Sequence, residues 1–272
     1  MVNNNGNIVA KTVLSIDNRA FNYADALFET CKVVVGKVQF WEDHYFRLMA
    51  SMRMLRMQIP MEFTLEYLEV ELLKLTEQLD GNTFRVKLLV YRNAGGFYAP
   101  NTNGVSYLIT ASPLESSKFV AKENYQVDLF KDYYTSTDLL ATLKTTQKTL
   151  SVLAGIYAQE NDLDSCLLVN TSKNIAEAIA ANLFLVKDKT ISTPPLSAGC
   201  LKGIMRKKII ELIQKEQNYI FVEKDISPFD LLKADELFLT NSIQGIQPIT
   251  KYRKKEFVTM VSTQLLASLN NL

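Results

Sequence analysis

A chain of 272 residues, 47% apolar and 22% charged, can fill one large core or two packed ones and has neither a disordered nor a fibrous composition. Lys and Arg together exceed Asp and Glu by one, and there is one histidine, which excludes a general field for nucleic acid or an anionic membrane and excludes multi-histidine metal sites. Three scattered cysteines, a start (MVNNNGNIVAKT) without the order of a signal peptide and no apolar run of spanning length predict a cytoplasmic protein with no membrane partner and no metal.

From Asp25 to Trp41 two β-rich runs flank Gly36-Lys37 and predict a hairpin. WEDHYFRLMASMRMLRM then places apolar residues at helical spacing, with Glu42 and Asp43 at the electropositive start. A second helix is predicted over FTLEYLEVELLKLTEQL, where Leu65, Leu68, Leu72 and Leu75 share one side, ending near Asp80-Gly81. Strands follow over 84–92 and 105–112, joined by NAGGFYAPNTNG, a loop long enough to fold over something. The polar stretch 114–124 reads as a linker between a smaller domain, 1–113, and a larger one, 125–272.

The second half opens with YQVDLF. A helix marked by Leu150, Leu153, Ala154 and Tyr157 follows, so Lys144 stands at an element junction. SCLLVN, ANLFLVK, TIST, YIFVEKD and ELFLTNS read as strands, GIMRKKIIELIQKE and KEFVTMVSTQLLASL as helices, and Ser227-Pro228-Phe229-Asp230 as the capped start of a short helix. Cys31 and Cys166 read as small core residues and His44 as a helix-surface residue.

Chemistry concentrates in a few places. A lysine such as Lys144 is most often solvated, and a glutamate such as Glu177 is most often an exposed turn residue. Glu177, however, is flanked by Ala176, Ala178, Ala180 and Ala181, surroundings in which a carboxylate needs a partner and could keep a ring nitrogen protonated. The helix start at Gly203-Ile204-Met205 offers free backbone N–H groups to an anion. Arg47 within a helix and Asn241-Ser242 after a strand complete the set.

In order, DALFET, HYFRLMAS, LKTTQ, AEAIAANLFLV, TPPLSAGCLKGIMR and FLTNSIQGIQPI resemble the fold-type IV pyridoxal-phosphate enzymes, which include branched-chain aminotransferases, D-amino-acid aminotransferases and 4-amino-4-deoxychorismate lyases. The resemblance spans nearly the whole chain. It implies an α+β protein of two domains, a smaller N-terminal α/β sandwich and a larger C-terminal α/β-barrel-like domain, forming a homodimer that acts on a small-molecule amino substrate. It implies pyridoxal phosphate as cofactor, with Lys144 as the lysine that joins it as a Schiff base and later acts as base. Glu177 then faces the ring nitrogen, and Arg47 with the backbone amides of Ile204 and Met205, after Gly203, holds the phosphate. Asn241 and Ser242 close that cup, Leu201 packs on the ring, and Asn182 orients the surroundings of the acid.

Within the family, the Arg-x-His pattern by which D-amino-acid aminotransferases hold a carboxylate is absent from Arg92-Asn93-Ala94-Gly95-Gly96-Phe97-Tyr98. The Phe-Glu-Gly triplet and the Gly-Thr pair of branched-chain aminotransferases are replaced by Phe28-Glu29-Thr30 and Asn241-Ser242. AANLF, GIMR, Thr240-Asn241 and Thr30 are similar to the lyases, and the expected activity is conversion of 4-amino-4-deoxychorismate to 4-aminobenzoate and pyruvate, in folate precursor synthesis. Thr30 is expected to bond the departing group or the base, and Phe28, Arg92, Phe97 and Tyr98 to meet the substrate. Phe97 stands where an arginine is expected, so a second carboxylate needs another donor. The alternative is a class IV aminotransferase with Phe28, Phe97 and Tyr98 lining an apolar pocket.

Overall fold

The computed structural model describes residues 1–271. They divide into two compact units, Met1–Ser117 with Lys144–Gln147, and Lys118–Leu143 with the chain from Lys148 onward.

The first unit contains β1 (Val2–Asn4), β2 (Asn7–Val9), α1 (Arg19–Tyr23), β3 (Ala26–Val34), β4 (Lys37–Val38), α2 (Trp41–Met54), α3 (Leu65–Thr76), β5 (Thr83–Arg92) and β6 (Val105–Pro113). Its strands form one antiparallel sheet in the order β2-β1-β6-β5-β3-β4. The hairpin from β3 to β4 turns at Val35 and Gly36, both with positive φ, the geometry that matches strand twist in a two-residue turn. Helix α3 begins where the Thr64 hydroxyl accepts the Tyr67 N–H. The buried stripes of α2 (Leu48, Met49, Met52) and α3 (Leu68, Leu72, Leu75) cover one face of the sheet, where Leu27, Cys31, Val33, Val86, Leu88 and Val90 are buried.

Side chains alternate along a strand, and the register pairs Glu29 with Leu88, Thr30 with Lys87 and Lys32 with Arg85. Glu29 therefore joins the helix-covered face, while Phe28, Thr30, Lys32, Arg85, Lys87 and Leu89 share the opposite one.

Lys144–Gln147 belongs to this unit, although the chain on both sides of it belongs to the other. Strand β4 pairs only with the far end of β3, so the Ala26–Phe28 end has an open edge. There the Phe28 N–H donates to the Lys144 carbonyl at 2.9 Å and the Thr146 N–H to the Ala26 carbonyl at 3.1 Å, satisfying backbone groups that would otherwise lack partners.

The second unit contains β7 (Gln126–Thr135), α4 (Thr149–Glu160), β8 (Ser165–Asn170), β9 (Ile175–Ala178), β10 (Asn182–Lys187), β11 (Thr190–Thr193), α5 (Ile204–Glu216), β12 (Ile220–Glu223), α6 (Pro228–Lys233), β13 (Glu236–Asn241), β14 (Gly245–Ile249), β15 (Lys251–Tyr252), β16 (Lys255–Glu256) and α7 (Met260–Leu269). Two five-stranded sheets, β12-β11-β10-β13-β14 and β16-β15-β7-β8-β9, bury a shared core that includes Val127, Leu129, Leu167, Val169, Leu183, Leu185, Leu237 and Leu239. On the alternate positions Phe184 and Phe238 stack across β10 and β13 with centroids 5.0 Å apart. Helix α6 starts with the reciprocal Ser227–Asp230 capping box that its sequence predicts. No helix among the described residues is long and apolar enough to cross a membrane.

Candidate active site

In the first unit, the backbone bonds that hold residues 144–146 on β3 bring the Lys144 ammonium to 4.5 Å from the centroid of the Phe28 ring. Lys87 approaches the same ring at 4.8 Å. Thr30, buried and directly opposite Lys87, lies on the same face. Lysine, hydroxyl and aromatic ring expected at the reaction thus share one sheet face.

Arg47 stands beside Glu29, in a cluster that the Lys144 charge reaches at His44 and Cys31. Its guanidinium grips Glu29 through Nε at 2.9 Å and Nη2 at 2.5 Å, and His44 Nδ1 lies 2.7 Å from the same carboxylate. Burial alone would raise the Glu29 pKa, but the Arg47 charge, with hydrogen bonds from His44 and Arg47, holds it down to about 2. Burial lowers the pKa of His44, and the ionised carboxylate places the proton of the neutral ring on Nδ1. Nε2 is left as a buried acceptor without a partner. His44 is fully buried, which corrects its reading as a surface residue; Glu29, brought over it by the sheet, makes that burial tolerable. Cys31, beside this cluster, has its thiol pushed up by burial and by Glu29, as befits a core residue.

In the second unit, Glu177 on β9 accepts the Leu201 N–H at 2.9 Å, and Asn182 on β10 donates to the Leu201 carbonyl at 2.9 Å. One residue, Leu201, is thus fastened from both sides by the acid and the amide. Two residues on, Gly203 is the N-cap of α5, with no side chain capping the helix and no acid in its first turn. A Cβ on Gly203 would collide with Asn182 Oδ1, so glycine is required for the helix start to lie this close. Thr240, paired with Asn182 across β10 and β13, has a buried hydroxyl without a partner. An uncapped start of a thirteen-residue helix and an orphaned hydroxyl beside it fit a phosphate group, and the Glu177 carboxylate fits a protonated ring nitrogen.

Three expected substrate residues stand elsewhere. Arg92 donates to Asp25, Asn103 and the carbonyls of Leu55 and Arg56, so its guanidinium is engaged in holding the fold. Phe97 and Tyr98 are exposed, and their loop is tied to α1 by Arg19, which donates to the carbonyls of Gly95, Gly96 and Phe97. Asn241 spends its side-chain oxygen on the Ile243 and Gln244 N–H groups, shaping the turn from β13 to β14, in which Ser242 also lies. Nothing local in the sequence marks Glu29, His44, Lys87 and Thr240 as site residues; each gains its place from a strand or helix distant in sequence.

The model of the amino-transferase class IV family matches residues 26–252. An aminodeoxychorismate lyase of Vibrio harveyi is 27% identical over 247 residues, covering 90% of this chain and 89% of that one. A D-alanine aminotransferase of Listeria monocytogenes is 27% identical over 245 residues, covering 87% and 81%. The crystal structure of 4-amino-4-deoxychorismate lyase from Pseudomonas aeruginosa superposes with a TM-score of 0.86 at 26% identity, covering 100% and 98%.

Proposed function

We propose a function from the premise that this chain belongs to the amino-transferase class IV family: it is a lyase that converts 4-amino-4-deoxychorismate to 4-aminobenzoate and pyruvate. That it is an enzyme using pyridoxal phosphate follows from the family itself. The lyase reading is carried by the face around Lys144, where the nearest strand positions offer the Thr30 hydroxyl and the Lys87 ammonium beside Phe28. A branched aliphatic side chain would need an apolar wall there, whereas a polar, doubly carboxylated substrate suits hydroxyl and ammonium groups.

When bound, pyridoxal phosphate supplies an electrophilic ring that withdraws electrons from the carbon bearing the substrate amine. The residues of the second unit that would hold its phosphate are Ile204 and Met205 through their N–H groups, with the Thr240 hydroxyl and the turn that holds Asn241 and Ser242; the resemblance adds Arg47, whose guanidinium also holds Glu29. Leu201 presents its side chain to the ring. Glu177, its carboxylate fixed by the Leu201 N–H, keeps a proton on the ring nitrogen. Lys144 Nζ would take the proton from the amine-bearing carbon of the substrate ring, the C–O bond to enolpyruvate would break as that ring becomes aromatic, and a proton returned to the enolpyruvate methylene carbon would give pyruvate. Thr30 hydrogen-bonds the departing oxygen or steadies Lys144. The protein acts as a homodimer in the cytoplasm in this reading.

The test is to mix the purified, cofactor-loaded protein with 4-amino-4-deoxychorismate, without any keto acid, and follow 4-aminobenzoate and pyruvate. Sustained multiple turnovers are expected; none, with a keto acid needed for amine transfer from a simple amino acid, would establish the aminotransferase reading that the Listeria relative supports.

A further inference from the structure

We propose that Lys87 receives a carboxylate of the substrate, so that the site selects an amine carrying an anionic group within reach of its reacting nitrogen. This rests on the functional reading above and names the donor that neither Arg92 nor Phe97 provides. The buried arginines Arg19, Arg92 and Arg47 of this unit are matched by carboxylates: Arg19 and Arg92 pair with Asp25, and Arg47 with Glu29. Lys87 is half-buried in the middle of the sheet, flanked by Thr30 on β3 and Thr110 on β6. Among the described residues it has neither a carboxylate nor a hydrogen-bond partner, only the face of Phe28.

A ring face compensates a cation weakly compared with an ionised carboxylate. Burial and the neighbouring Arg85 both lower the Lys87 pKa, two costs that an arriving anion relieves together. The position is also the right one. Lys87 and Lys144 rest on the same ring, so a substrate whose amine reaches Lys144 places a carboxylate a few bonds away beside Lys87. The two threonines flanking Lys87 can add hydroxyl hydrogen bonds to the same oxygens.

The experiment uses the cofactor-loaded wild type, Lys87→Met and Lys87→Arg. Affinities are measured calorimetrically for two matched pairs that differ only in charge: 4-aminobenzoate and 4-aminobenzamide, and pyruvate and pyruvamide. Lys87→Met should lose about thirtyfold in affinity for the carboxylate of at least one pair, bind its amide as the wild type does, and keep the cofactor's absorption spectrum. Lys87→Arg should recover most of the loss. In steady-state kinetics Lys87→Met should raise KM and leave kcat within a few fold. Wild-type affinity of Lys87→Met for both carboxylates would overturn the proposal, whether or not the enzyme proves to be a lyase. Conversely, charge discrimination that depends on Lys87 in a protein releasing no pyruvate from 4-amino-4-deoxychorismate would keep Lys87 as the anion donor and refute the lyase. If Met at 87 disturbs the cofactor spectrum, Lys87→Gln is measured with the same pairs and decides by the same criterion.

Discussion

Replacing Glu29 by Gln keeps the size of the side chain but removes the charge that Arg47 and His44 were folded around. The depression of the Glu29 pKa from 4.5 to about 2 corresponds to about 3 kcal/mol of stability at neutral pH, at roughly 1.4 kcal/mol per pH unit. Stranding the buried Arg47 guanidinium gives a figure of the same order, about 3–5 kcal/mol. The sign follows from the depressed pKa: the contribution is complete above pH 4.5 and disappears as pH falls through about 2. Trp41 reports on it well. It is the chain's only tryptophan, lies buried on α2, the helix that carries His44 and Arg47, and donates its ring N–H to the Leu65 carbonyl at 2.9 Å. Urea titrations of cofactor-free wild type and Glu29→Gln, followed by Trp41 fluorescence, should differ by about 3 kcal/mol at pH 7. The gap should narrow steadily below pH 4.5. A difference under about 1 kcal/mol at pH 7, or one that persists unchanged at pH 2, would refute the reasoning.

Lys144→Ala should remove the visible absorption of the bound cofactor and all turnover while leaving the circular dichroism spectrum intact; retained turnover would take Lys144 out of the reaction. Arg47→Ala should weaken cofactor retention by one to two orders of magnitude in equilibrium dialysis, in keeping with the roughly 1.5–3 kcal/mol of a charged hydrogen bond, and an unchanged affinity would remove Arg47 from the phosphate. Gly203→Ala must displace the Asn182 amide from its place against α5, so both thermal stability and cofactor affinity should fall, by about 1–3 kcal/mol in stability; a wild-type melting temperature would show that the approach is looser than it looks.

Much of this architecture is legible in the sequence because its long elements carry strong local signals. The leucine stripe of α3, the capping box of α6 and the β-rich runs of β3, β5, β8, β10 and β13 announce themselves at periods of 3.6 and 2. What is not legible depends on partners far along the chain. His44 is polar and sits near the start of a helix, and only Glu29, fifteen residues earlier on a strand, turns it into a core residue. Arg92 has the composition of a substrate ligand until Asp25 and Asn103 are seen to hold it. Lys87 reads as one of many solvated lysines, since nothing local reveals that its neighbours across the sheet are two threonines and that its ring contact is shared with Lys144. The two-residue strands β4, β15 and β16 are too short for any periodicity to register.

The backbone pairing of Lys144–Gln147 with β3 also bears on how the chain can be divided. Four residues of the first unit are carried on a segment whose flanks on both sides belong to the second, so the gene cannot be cut at one point into two self-sufficient pieces. A fragment ending at Ser117 would lack the residues that accept the Phe28 N–H and donate to the Ala26 carbonyl, and would present that stretch of strand as a bare edge open to other chains. Lys144 is thus held in place by a unit to which the chain on either side of its segment does not belong.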